Sequence, residues 1–84
     1  MSNPIDESVS VDLTYDQMTK ISRPTTMRWH ERIYRITDIG LHHRIWEGRV
    51  RIHIFSVSDG SSYFRLLFNT ETLSWRLMEV SDAN

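Results

Sequence analysis

Six side chains of this sequence have the types and spacing to recognise an anion or a flat ring: Arg44, Trp46, Arg49, Arg51, Arg65 and Arg76. The first four flank Gly48 in a stretch patterned as a β-hairpin. With Glu47-Gly48 as its turn, Trp46 falls opposite Arg49, Arg44 opposite Arg51 and His42 opposite His53, all on one face. A later hairpin sets Arg65 opposite Arg76. Like charges directly across a ladder are unfavourable by up to about 1 kcal/mol, and an anion or acidic partner between them relieves that repulsion. Arg makes planar, bidentate contacts with phosphate or carboxylate. Aromatic rings interleaved with Arg on a β-surface suit stacking on single-stranded bases. The plainer reading is a solvated face whose Arg stems cover hydrocarbon while their heads stay in water.

Other chemistry is sparsely provided. His42 and His43 are adjacent in a strand and point to opposite faces, so they do not chelate together. His42 and His53 lie close enough to share an ion, but a third ligand is not evident, and zinc sites take three or four. There is no Cys, hence no thiolate nucleophile and no disulfide. Gly40, Gly48 and Gly60 are isolated and form no phosphate-cradling loop. Ser58, Ser61 and Ser62 surround Asp59-Gly60 as turn residues, outside any strand–elbow–helix context. No two carboxylates converge. These features predict a protein that is not an enzyme, with no cofactor and no metal.

The elements that would position these groups must fit in 84 residues, which is one domain with a thin core. A composition of 39% hydrophobic and 25% charged residues is that of a soluble globular protein. The net charge of −1 conceals segregation. Residues 1–19 carry four acids and no Lys or Arg, whereas residues 20–53 carry eight of the ten basic residues. The acidic segment is therefore placed to fold back over the basic face and neutralise it. No apolar run approaches the roughly 20 residues of a membrane-spanning helix, and the N-terminus lacks the pattern of a signal peptide. A cytoplasmic setting is expected, with no membrane partner.

Periodicity divides the chain into a flexible acidic segment at 1–8, one all-β domain over 9–80 and a tail at 81–84. Val9, Val11, Leu13 and Tyr15 alternate with polar residues as a half-buried strand. Asp16 is suited to cap one helical turn with Met18 and Ile21 facing inward. Beyond Pro24 the pattern reads as strands at 26–30, 32–45, 49–58, 62–69 and 72–80. His30-Glu31 forms a tight turn, and a phase change beside Gly40 implies a β-bulge, with Phe55 across from the glycine. Leu41, His43 and Ile45 then share an inward face with Val50, Ile52 and Ile54. Asp59-Gly60 is the strongest turn signal, and a three-residue loop there aligns Ile52 and Ile54 with Phe68 and Leu66. In the last hairpin, Phe64, Leu66 and Phe68 oppose Leu77, Trp75 and Leu73. The expected fold is all-β, a five- to six-stranded antiparallel meander curled into a small barrel or roll closed by strand 9–15. Trp29, Tyr34, Ile52, Leu66, Trp75 and Leu77 should be buried.

The stretches Trp29-His30-Glu31-Arg32-Ile33-Tyr34-Arg35-Ile36, Tyr63-Phe64-Arg65-Leu66 and Ser74-Trp75-Arg76-Leu77 resemble a group of small bacterial, chiefly actinobacterial, all-β proteins of unknown function. The resemblance implies the fold and carries no activity. With Phe55, Val57, Tyr63, Leu67 and Met78 on or near the outer face, the functional expectation is a binding or adaptor domain. It would contact a protein or a second copy through the Arg/aromatic face, with single-stranded nucleic acid as the alternative.

Overall fold

The computed structural model describes residues 2–82 and contains seven strands: β1 (Ser2–Asp16), β2 (Ile21–Trp29), β3 (Arg32–Arg35), β4 (Asp38–Glu47), β5 (Val50–Ser58), β6 (Ser62–Asn69) and β7 (Ser74–Asp82). All pair antiparallel in one sheet, in the order β3-β2-β1-β7-β6-β5-β4. The strand count exceeds expectation because the strand expected over 32–45 changes partner midway. The Ile36 amide donates to the Thr25 carbonyl on β2 at 2.9 Å, and the next amide, Thr37, donates to Ser58 on β5 at 2.8 Å. β1 makes a similar change, pairing with β7 up to Val9 and with β2 from Ser10 onward. These two switches curl the sheet over its own inner face. β3 and β4 form no ladder with each other, so the sheet is not closed into a barrel.

The chain ends differ from the expected flexible segments. Residues from Ser2 onward pair with β7, with Ser2 against Ser81, so residues 2–8 of the expected free segment are part of a strand. Ser81 and Asp82 likewise continue β7, while Met1 and residues 83–84 lie outside the described residues.

Turn chemistry sets the strand offsets. His30 and Glu31 form the expected two-residue turn, both with positive φ (52° and 63°), between the paired Trp29 and Arg32. In the segment after β1, the Asp16 carboxylate accepts from the Met18 amide at 2.8 Å, and the Lys20 amide donates to the Asp16 carbonyl at 2.7 Å. This single turn does not become a helix, and Met18 (90% exposed) and Ile21 point to solvent rather than inward. Pro24 is accommodated within β2 because the register shifts there, and a bulge spares the ladder a missing donor.

Seven buried residues make the core: Met27, Phe55, Val57, Phe64, Leu66, Trp75 and Leu77. Ile52, Leu66, Trp75 and Leu77 are buried as expected, while Trp29 and Tyr34 pack against the core partly buried. One face assignment is reversed. Phe55 and Val57 point inward, and Leu41, Ile45, Ile52 and Ile54 belong to the opposite, outer face. The cause is the loop at residues 59–62, which is four residues long rather than three. Asp59 Oδ1 accepts from the amides of Ser61 and Ser62, each at 2.8 Å, and Ser58 pairs with Tyr63. Phe55 then opposes Leu66, and Val57 opposes Phe64.

The expected bulge occurs at Gly40, which is skipped between the pairs Ile39–Val57 and Leu41–Ser56. Phe55, however, lies opposite His42 rather than Gly40. The last hairpin keeps its inward face, but its pairing slides by two residues, so that Phe68 meets Trp75 and Leu73 joins the exposed turn.

Candidate functional site

The β4–β5 loop is Gly48-Arg49, with the glycine at φ 64°, and Glu47 pairs with Val50. This glycine-first, two-residue loop matches strand twist better than a turn on Glu47-Gly48. It moves every cross-strand partner by two positions from expectation. Arg51 lies opposite Trp46, its guanidinium carbon 4.7 Å from the indole centroid, and Arg44 lies opposite His53. The expected Arg44–Arg51 repulsion is therefore not built in.

Nor does Arg65 meet Arg76. A register shift between Leu66 and Arg65 leaves Met78 as an extra residue and brings Arg65 opposite Glu79, with Nη2 3.8 Å from the carboxylate. Arg76 sits opposite Leu67 and is held from the other side by β1. Its Nε pairs with the Asp6 carboxylate, Nη2 donates to the Asp6 carbonyl at 2.9 Å, and Nη1 donates to Ser8 Oγ at 3.2 Å. The acidic N-terminal segment thus reaches a basic residue as a neighbouring strand. Alternation places Arg44, Trp46 and Arg51 on the inner side and Arg65 and Arg76 on the outer, with Arg49 in the loop. The six residues do not form one patch.

What the inner side does gather at the β4 end is a pair of imidazoles. His42 Nε2 and His53 Nδ1 are 2.7 Å apart, and the His42 ring stacks on Phe55 with centroids 4.1 Å apart. Burial lowers both imidazole pKa values below the ordinary 6.5; His53 and the neighbouring Arg44 lower His42 further, and Arg44 and Arg51 do the same to His53. The pair is neutral at pH 7, one ring donating to the other. Among the described residues, no third His, Asp or Glu joins them.

A second cluster had no signature in the sequence, because it depends on β1 lying beside the end of β2, with Ser10 opposite Arg28. Glu7 accepts from Trp29 Nε1 at 3.3 Å and lies 2.9 Å from His30 Nε2, while the His30 ring stacks on Trp29. The His30 hydrogen bond, then that from Trp29, holds the Glu7 carboxyl below the usual 4.5.

The feature that sequence reasoning passed over is the β4 edge. All ten of its residues are exposed, and the hydrophobic groups among them include Leu41 (51%), Ile45 (44%) and Trp46 (63%). From Leu41 to Glu47 the strand pairs regularly with β5 on one side and with no strand on the other. The opposite edge, β3, is four residues long with an Arg at each end, which is how natural sheets blunt their edges. β4 is longer and has neither Lys nor Pro, with Arg44 and the bulge at Gly40 as its own interruptions. The signal was available, since a ten-residue β-pattern holding both Leu41/Ile45 and Trp46 is apolar on both faces. Among the described residues, no helix is long and apolar enough to cross a membrane. Compared with known proteins, the chain matches no family model, no curated protein and no solved structure.

Proposed function

We propose that this chain is a non-enzymatic binding domain that associates through β4 with a second copy of itself. The observation that carries the reading is the long edge at Leu41–Glu47, seven residues in regular register with β5 and exposed throughout. An unpaired strand edge is a template for another strand, and main-chain hydrogen bonds supply the affinity. Antiparallel pairing of two β4 strands about His43 sets Leu41 of each copy against Ile45 of the other on the outer face. The same register brings Trp46 across from Gly40, where a ring can cover the absent side chain. A cytoplasmic setting fits a small domain built without cysteine.

The alternative is single-stranded nucleic acid, favoured by the stacked Arg51 and Trp46 beside Arg44 on the inner side. Less supports it elsewhere, because Arg65 and Arg76 are engaged by Glu79 and Asp6. The test is elution volume and sedimentation over a wide concentration range, with and without a single-stranded oligonucleotide. Wild type should elute as a dimer and the L41K/I45K variant as a folded monomer. A wild type that is monomeric at every concentration overturns self-association. A shift only with oligonucleotide, lost in Arg44→Gln/Arg51→Gln, selects the alternative.

A further inference from the structure

A groove of ≈ 520 Å³ opens between the β1–β2 turn and the β4 end of the sheet. Its floor is aromatic: Trp75 lies between Phe68 and Phe55, with ring centroids 4.7 and 5.6 Å away. Leu13 and Ile21, exposed by 46% and 59%, form the apolar wall contributed by β1 and β2. The volume lies within the roughly 300–1,000 Å³ of small-molecule sites.

The polar groups of the groove share one electrostatic character. Lys20 lines it from the turn side and Arg44 from β4, and among the described residues no Asp or Glu lines it. That asymmetry stands out in a chain whose net charge is −1. The hydrogen-bonded His42 and His53 line it as neutral rings, with Ser22 as a hydroxyl across from them. An aromatic bed of tilted rings with a cation on each lip, and with no carboxylate among the described residues, complements a ligand with an aromatic body and one negative charge.

We propose that this groove is a binding site for small aromatic carboxylates, the ring lying against Phe68 and Trp75 beside the His42 ring stacked on Phe55, and the carboxylate meeting Arg44 and Lys20. The site is separate from the β4 edge, since Arg44 projects to the inner side while edge pairing uses the β4 backbone.

The experiment is an NMR titration of the intact chain with 1-naphthoate, with the uncharged isostere 1-naphthalenemethanol and inorganic phosphate in parallel. Naphthoate should shift the signals of Phe68, His53 and Ser22 and bind several-fold tighter than the alcohol, and phosphate alone should not shift them. Arg44→Gln and Lys20→Gln should each weaken naphthoate by about threefold to fivefold and leave the alcohol unchanged. Both positions are exposed, so the variants fold, which their unchanged amide spectra away from the groove would verify. Equal affinity for acid and alcohol, unchanged naphthoate affinity in both variants, or shifts confined to residues outside the groove would each overturn the proposal.

Discussion

His42 and His53 meet at 2.7 Å although neither is the other's cross-strand partner: His42 is paired with Phe55, and His53 with Arg44. The contact runs along the diagonal of the ladder, a distance that long side chains span readily. Two imidazoles so close, with Arg44 and Arg51 nearby, cannot both take a proton without repulsion.

The pH dependence follows from the sign of these shifts. Both folded-state values lie below 6.5, so on acidification the unfolded chain takes up protons first. The contribution is fully present above 6.5 and is lost as pH falls through that value toward the depressed folded ones. Melting temperature should decline between about pH 7 and pH 5, and the decline should flatten in His42→Gln/His53→Gln. Equal slopes in the two proteins would refute the assignment. Glu7 adds a further loss only below 4.5, where its carboxylate protonates in the unfolded chain first.

The turn at His30-Glu31 holds two side-chain-bearing residues in the left-handed region. Among the described residues Glu31 has no side-chain hydrogen-bond partner, so Glu31→Gly removes steric strain with little lost. It should stabilise the fold by about 1 kcal/mol, seen as a raised denaturation midpoint at constant slope. His30→Gly should gain less, because it also removes the contacts with Glu7 and Trp29.

Glycines 60 and 40 should respond in opposite ways. Gly60 sits at φ 96°, so Gly60→Val should cost more than about 1 kcal/mol, although nothing lies within 4 Å of the added Cβ. Gly40 has an ordinary φ, and its added Cβ would meet only the Ser56 carbonyl, at 3.5 Å. Gly40→Ala should therefore be close to neutral in the same denaturation assay.

Trp75 packs between Phe55 and Phe68 with its ring tilted against both and is 9% exposed. Trp75→Ala should cost about 3–5 kcal/mol, enough to leave a domain of this size largely unfolded. The readout is loss of dispersed NMR signals, and a fully folded variant would contradict the core described above.

Much of this architecture was legible in the residues, and what was not shares one cause. Alternation fixes which side chains share a face, and it did so for Phe64, Leu66 and Phe68 against Trp75 and Leu77. It does not detect a slide of two, which preserves every face while changing every partner. The anticipated Arg44–Arg51 and Arg65–Arg76 pairs were such partners, and in each hairpin a turn moved by one residue removed them. In β5, Ile52 and Ile54 compete with Phe55 and Val57, so apolarity alone could not choose the inward face. The loop before β6 made that choice. The groove was beyond reach for another reason: its two sides come from turns and strands far apart in sequence.

The placement of β1 between β2 and β7 has a consequence for how the chain comes into being. Within this sheet β1 is synthesised before every other strand, yet Ser2 to Val9 find their ladder only in β7, the strand of the sheet made last. Until β7 emerges, the nascent protein can assemble local hairpins but cannot join them, since the pairing that unites them closes nearly the whole chain into one loop. Folding is therefore governed by a non-local step, and it should proceed on the millisecond-to-second scale of high-contact-order β proteins.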